Sequence, residues 1–582
     1  MSRWRPLMTW VRTNRWPAVV LVAALGLVAL NGWWLLTYRQ GEPLDIDEAG
    51  YITIALGNHA ALSTGLSAYW SVIQSQSLQA PLVPALTAIV YTVHQGILIS
   101  YTVELAFLVV LGVATYGVAR YLAGPKLGAL AALVTLTAPG TIAYSREYIF
   151  ALPAAALVSC SLYALLRSDG LRSRRWALLL GAGIAAGLLA RTMTVAFVPA
   201  LVVAALVRIG ALPEGRRRAL VNLAAALAVA AGLAALWYAR NVSTVYRYLV
   251  DYGYGRTSNE YGVSHPITSL AWWTSVFHTA AMQDLDLPLA CAVLAGLVAV
   301  AFVAARRLRA SADRPGALIR LASSDALTVA IMLAGSYLAL SSSTNEGSGF
   351  TLVMLGPAVA LAVLPLHWLP SVRVPVIVLL AAIALVNLLA STDLWRGFST
   401  PRSVDVPVLG SVPVVDPQAE ALKHLRVQLP GDPTRFSKGE RAWPRLESAV
   451  AGFLIAFAHA HGYEPIVAFG ARNRVFNTNT VGLAASLYYD TTMPTAQLDP
   501  RFAGDQSSAY AAYLDAPEHG QPNFLVTIDR VAGDYTPVVS PAAARAAALA
   551  DGFVVAHDFR LPDDRVALIW WLPRGPVLPT AP

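Results

Sequence analysis

Apolar runs of spanning length recur from residue 18 to about residue 391, broken by short polar stretches, and then stop. An uninterrupted apolar run of that length matches the roughly 20 residues an α-helix needs to cross about 30 Å of hydrocarbon. The pattern predicts spans near 18 to 37, 127 to 144, 150 to 166, 176 to 190, 192 to 207, 219 to 238, 287 to 305, 325 to 343, 351 to 369 and 374 to 391. Two more apolar runs, 81 to 99 and 101 to 122, together supply one net crossing if topology is to stay consistent. The first carries Pro81, Pro84, His94 and Gln95, so it is the expected irregular element, tolerable at membrane depth only against protein or a cavity. The fold class that follows is an α-helical polytopic membrane protein with about 11 to 13 membrane helices.

Beyond residue 392 the pattern changes, with Pro, Gly, Asp and Arg throughout and no further run long enough to span. Short β-rich pieces at 466–469, 524–528, 553–556 and 566–571, with an Ala-rich helical stretch at 541–550, predict a soluble α/β layer domain. The expected division is therefore a transmembrane domain over 1–391 and a soluble domain over 392–582. The second part has no glycine fingerprint, phosphate loop or metal-ligand spacing and reads as a lid or partner surface.

Composition agrees: 582 residues, 56% hydrophobic and 13% charged, with mean hydropathy +0.54. The net charge of +8 does not point to nucleic acid, because the basic residues collect between apolar runs, at 167–175, 208–218 and 306–320, as cytoplasmic loops do. Arg3, Arg5, Arg12 and Arg15 place the N-terminus on the same side. The first span ends in Trp33, Trp34 and Tyr38 rather than in a small-residue cleavage pattern, which favours an uncleaved anchor. Residues 38–80, 145–149, 240–286 and everything after 392 then face outward. Cys160 and Cys291 lie inside apolar runs and are expected as small core residues, with no disulfide, zinc or thiol chemistry.

Chemistry concentrates on that outer side. Asp45-Ile46-Asp47-Glu48-Ala49-Gly50-Tyr51 puts three carboxylates within four positions where the first span ends, a costly placement unless they face an aqueous cavity. Asp47 is positioned to take a proton from an acceptor hydroxyl, with Glu48 orienting it, and Asp45 and Tyr51 are expected at the substrate. A solvated helix end is the plainer reading of one such carboxylate. Arg146 and Glu147, in Tyr144-Ser145-Arg146-Glu147-Tyr148, form either a self-neutralised interfacial turn or a phosphate grip reaching the Asp47–Glu48 cavity. Arg191 is a lone cation between two apolar runs, either snorkelling or holding a lipid phosphate. Arg240, Asn241 and Tyr252 lie in a Tyr-, Gly- and Arg-rich outer stretch suited to a sugar or headgroup, or to an aromatic belt.

In order along the chain, Asp47-Glu48-Ala49-Gly50-Tyr51, Ala80-Pro81-Leu82 with Pro84, Ser145-Arg146-Glu147, Arg191 and Trp237-Tyr238-Ala239-Arg240-Asn241 resemble the polytopic lipid-linked glycosyltransferases of the GT-C fold, the group of protein O-mannosyltransferase-like and aminoarabinose-transferase-like enzymes. These stretches cover most of the first 260 residues. The chain departs from the family pattern at Gln79-Ala80-Pro81, where relatives often carry a double proline, and at Arg191, where they often carry Lys.

The resemblance implies transfer of a sugar from a polyprenyl-phosphate donor to a lipid, polysaccharide or protein hydroxyl at the outer face of a bacterial-type cytoplasmic membrane, usually with inversion. Asp47 would be the base, and Arg146, Arg191 and Arg240 would meet the departing phosphate. Some relatives use a divalent cation, Mg or Mn, and Asp47 with Glu48 are the ligands available for one. The rival from another class is a transporter or flippase of a lipid-linked sugar, which would carry charges in mid-span. A catalytically idle scaffold is the third reading.

Overall fold

A computed structural model describes residues 15–75, 78–260, 262–392, 402–407, 410–415, 441–500, 506–516, 521–532 and 538–573. Arg3, Arg5 and Arg12 lie outside these residues. The chain divides into two compact units that do not follow its order: Met1–Leu35, Trp70–Leu86 and Tyr101–Leu422 form one, and Leu36–Tyr69, Thr87–Ser100 and Lys423–Pro582 form the other. The acidic stretch after the first span thus belongs to the unit that contains the C-terminal residues.

The first unit is helical. Among the described residues six helices are long and apolar enough to cross a membrane: Arg15–Arg39, Ile97–Ala123, Thr192–Gly210, Arg216–Tyr254, Leu270–Ala310 and Pro370–Ser391. A seventh arises if Arg314–Ala322 and Asp325–Ser341, bent by 69°, count as one span. Pro125–Leu136, Ala151–Arg167 and Leu352–Trp368 are shorter apolar helices. Six to seven spans is the count by length, below the expected 11 to 13.

Two boundaries differ from the hydropathy reading, and the irregular element expected at 81–99 is indeed too short to span. Arg216–Tyr254 runs for 39 residues, about 58 Å of helix, so the segment carrying Arg240, Asn241 and Tyr252 is a continuation of the span and not a loop. The expected span at 351–369 breaks into Leu352–Ala362 and Pro365–Trp368, because Pro365 cannot donate to the preceding turn. Leu82–Val90 has nine residues, about 13 Å of rise, too short to cross, while Ile97–Ala123 is a full span.

Small residues let these helices approach. A methyl at Gly181 would overlap the Ala226 carbonyl, and one at Gly183 would lie 2.6 Å from Ser161 Oγ, so Arg174–Ala190 packs backbone-close to both neighbours. Lipid offers no hydrophobic gain for helix association, which makes such close contact the source of cohesion. Cys291 is exposed on its helix, so it faces the apolar surroundings and not the core as expected. A hairpin of β1 (Arg402–Val406) and β2 (Gly410–Val415) completes this unit.

The second unit holds β3 (Val467–Gly470), β4 (Thr495–Gln497), β5 (Phe524–Ile528), β6 (Val554–Arg560) and β7 (Val566–Trp571) in one sheet of order β4-β3-β5-β7-β6. The first three strands are parallel and joined by helices Thr478–Tyr488 and Ser507–Asp515; β6 and β7 pair antiparallel. Every residue of β5 is buried, as its unbroken run Phe-Leu-Val-Thr-Ile requires of a central strand. Trp570 donates its indole N–H to Thr527 Oγ1 at 2.8 Å, so the ring is buried without an orphaned donor. Ala468, Leu498, Tyr510, Leu525 and Ala547 sit in the core on one side of the sheet.

Candidate active site

The acidic stretch starts a helix. Asp45 is the N-cap of Ile46–Thr64: its carboxylate accepts the Asp47 amide at 2.9 Å, and Glu48 reaches back to the Asp45 amide at 3.5 Å, which makes a capping box. Three carboxylates are tolerable here because the helix N-terminus presents unpaired N–H groups and the positive end of its dipole.

They do not share one environment. Glu48 is fully buried and ion-paired to Arg39, itself 3% exposed, which also donates to Pro43 O at 2.6 Å. Glu42, equally buried, accepts from Arg441 at 2.5 Å. Asp47 alone of the three is exposed. Sequence reasoning missed Arg39, and the signal was there: it is a cation at the outer end of the first span, away from the basic clusters that mark the inside.

The helix is fixed from its C-terminal neighbours in the same unit. Asn479 donates to Ile46 O at 2.8 Å, and its Nδ2 would lie 2.9 Å from a methyl at Gly50. Gly50 is therefore needed where the two helices touch. Tyr51, the next residue, is half-buried.

The arginines belong to the other unit. The 144–150 segment is buried throughout. Arg146, 4% exposed, donates from Nε to Asn31 Oδ1 at 2.8 Å and from Nη1 to Ser391 O at 2.6 Å, and its guanidinium lies 4.2 Å from the Trp34 ring. Its Nη2 is buried with no hydrogen-bond partner among the described residues. Glu147 beside it is 1% exposed. Phe150 closes the segment at φ 64°, a left-handed conformation that is strained for a bulky residue.

Arg191 ends the helix Arg174–Ala190. Its Nη2 donates to Ser348 O at 2.8 Å, the guanidinium stands 4.8 Å over Phe350, and Nη1 is a second buried donor with no partner among the described residues. A methyl on Gly349, whose φ is +72°, would meet both Arg191 Nη1 and the Tyr144 ring. The structure therefore brings Arg191 and the 144–146 segment to one loop, 348–350, that sequence reasoning had not singled out. Asn345 in the same connection donates to Tyr252 O at 3.0 Å, and Tyr252 packs on Tyr248 with ring centres 4.4 Å apart. Asn241 is buried and bonds Gln74 O and Trp237 O, a structural engagement, while Arg240 is exposed.

The donors for a divalent cation are a poor fit. Glu48 is committed to Arg39 and to its own cap, and among the described residues no group of three His, Cys, Asp or Glu side chains gathers as metal ligands. An all-protein Ca²⁺ cage is not available among the described residues, and a Mg²⁺ here would rest on Asp47 together with donor phosphate oxygens and water.

No family signature and no curated protein matches the sequence. Solved structures do match in fold. ArnT from Cupriavidus metallidurans bound to undecaprenyl phosphate is 16% identical, with a TM-score of 0.53 over 96% of this chain and 98% of that one. The archaeal oligosaccharyltransferase AglB from Archaeoglobus fulgidus, in complex with an inhibitory peptide and a dolichol-phosphate, is 11% identical, with a TM-score of 0.51 over 89% and 70%. At these identities the likeness carries the fold, and the fold is the GT-C architecture that the ordered motifs anticipated.

Proposed function

We propose that this protein is a membrane glycosyltransferase that moves a sugar from a polyprenyl-phosphate-linked donor to an acceptor hydroxyl on the outer side of the cytoplasmic membrane. The observation that carries the reading is the pairing of an exposed carboxylate, Asp47, with a buried, salt-bridged one, Glu48, at a helix start on the fold of ArnT, whose crystal structure holds undecaprenyl phosphate. Counting the three shorter apolar helices as crossings brings the described residues to nine or ten, short of the expected 11 to 13; the proposal keeps residues 1–391 as the membrane domain and 392–582 outside.

The chemistry assigns one task to each residue. The acceptor oxygen attacks the anomeric carbon as the bond from that carbon to the phosphate oxygen breaks, and Asp47 removes the acceptor proton. The electron pair leaves with the lipid phosphate, whose added charge needs donors in a low-dielectric site. Arg146 Nη2 and Arg191 Nη1 are buried guanidinium N–H groups with no partner among the described residues, an arrangement that is costly unless something else accepts from them. A phosphate is the acceptor that suits a guanidinium fork. Arg240, Tyr252, Tyr51 and Glu147 remain assigned to substrate contact, whereas Asn241 and Asp45, expected there too, are engaged in helix packing and capping.

The test is to incubate purified protein with a polyprenyl-phosphate sugar and a hydroxyl acceptor and to measure free lipid phosphate. Release with sugar appearing on the acceptor is the expected result. Movement of intact sugar-lipid between leaflets without cleavage would replace the transferase with a flippase.

A further inference from the structure

Helices Asp286–Ala310, Arg314–Ala322 and Asp325–Ser341, with Leu361 and Trp368, line a half-open cavity of about 790 Å³ in the helical unit. That volume lies within the roughly 300–1,000 Å³ of pockets that bury a ligand of drug size. Its walls are apolar, with Leu308, Leu327 and Leu333 among them, and its polar lining includes Arg307 and Arg320. The 69° bend between Arg314–Ala322 and Asp325–Ser341 lays the short helix across the end of the longer one. Leu318 and Ile319 project outward from that short helix, exposed to 56% and 57%, as on a helix lying in a membrane interface.

Charge at this end is unbalanced. Arg307 rests on the Trp368 ring, 4.7 Å from its centre, with no acid paired to it among the described salt bridges. Arg320 has Asp313 at 3.7 Å, but that carboxylate also caps its own helix by accepting from Gly316 N at 2.9 Å. Asp325 is occupied by Arg208 at 2.5 Å. Arg306, Arg309 and Arg314 add further positive charge along the same 306–320 stretch.

We propose that this cavity is a binding site for an acidic phospholipid, one acyl chain filling the apolar pocket and the phosphate held by Arg307 and Arg320. An apolar slot among spanning helices has acyl chain as its surrounding solvent, and a basic rim selects the negatively charged headgroup. The site is separate from the residues assigned to transfer and does not depend on that assignment.

The full-length protein, stripped of lipid in detergent, is titrated with phosphatidylglycerol, phosphatidylcholine and polyprenyl phosphate and read by native mass spectrometry. Phosphatidylglycerol should be retained about thirtyfold more tightly than phosphatidylcholine, the worth of two basic groups near a headgroup. The pair R307Q and R320Q should remove that preference, whereas R217Q, in a different basic cluster, should keep it. Ala330→Trp, which fills the pocket and leaves the arginines in place, should lower retention of both phospholipids and decides the matter if the double variant fails to fold. Equal retention of the two phospholipids, retention unaffected by Ala330→Trp, or displacement of phosphatidylglycerol by polyprenyl phosphate at equal concentration would overturn the proposal.

Discussion

Arg39 and Glu48 form an ion pair with both side chains sealed from solvent, nine positions apart across the turn that leaves the first span. The pair closes that turn and leaves Asp47, one residue earlier, facing outward at the mouth of the same helix. The acidic cluster is thereby sorted into one buried, ion-paired carboxylate, one cap and one exposed carboxylate.

Removing one partner of this pair strands the other charge in a buried site, which costs about 3–5 kcal/mol. Arg39→Ala and Glu48→Ala are each expected to lower the thermal midpoint of the detergent-solubilised protein strongly. The double variant should lose less than the sum of the two. Additive losses in that double-mutant cycle would mean the two residues act independently.

Asp47→Asn keeps the size and the cap geometry and removes the proposed base. Turnover of the lipid-linked sugar is expected to fall about 10²- to 10⁴-fold, the usual worth of a positioned general base, with the melting profile unchanged. Normal turnover would take Asp47 out of the mechanism.

Arg191→Ala should weaken donor binding more than acceptor binding. The measurement is the pair of KM values, or direct binding of polyprenyl phosphate, where loss of a charge-assisted contact is worth about 1.5–3 kcal/mol. Arg191→Lys restores charge but not the fork that reaches Ser348 O and the ligand together, so only partial rescue is expected. Equal weakening toward both substrates would argue against a phosphate role.

Glu447 introduces a pH dependence. On helix Ala442–Ala460 its carboxyl is buried, one oxygen lacks a partner among the described residues, and burial pushes its pKa up to about 8. Between the ordinary carboxyl range near 4.5 and about 8 the unfolded chain releases this proton while the folded chain keeps it. The contribution of this group to stability is therefore fully present below about pH 4.5 and is lost as pH rises through that window. Glu447→Gln should flatten the decline of the thermal midpoint between pH 5 and 8 and raise the midpoint at pH 8. A parallel decline in both proteins would place the carboxyl's titration elsewhere.

Gly181 tests the helix packing. Gly181→Val drives a branched side chain into the Ala226 carbonyl, so folded yield and thermal midpoint should both fall. Gly26→Val, at a glycine with open space around it, should be tolerated.

Much of this was legible along the chain, and the parts that were not have identifiable causes. The strand at 524–528 and the helix at 541–550 are read directly because an all-apolar β-rich run and an Ala-rich stretch each have one favourable backbone state. The end of Arg216–Tyr254 was misplaced because hydropathy reports where the bilayer stops, and a helix continues past it as long as its backbone bonds are made. Arg146 stood out as a charge between apolar runs, yet its partners Asn31 and Ser391 lie 115 and 245 positions away, beyond any local pattern.

By itself the sequence determined that the chain is a multi-pass membrane protein with a small C-terminal sheet, and it marked most of the charged groups that sit among apolar runs. Those follow from transfer free energies and backbone preferences, which act residue by residue. Only the tertiary structure decided that Glu48 is spent on Arg39, that Asp47 is left outward, and that Arg146 and Arg191 each keep one buried donor unused, because burial and pairing depend on groups that folding alone brings within bonding distance.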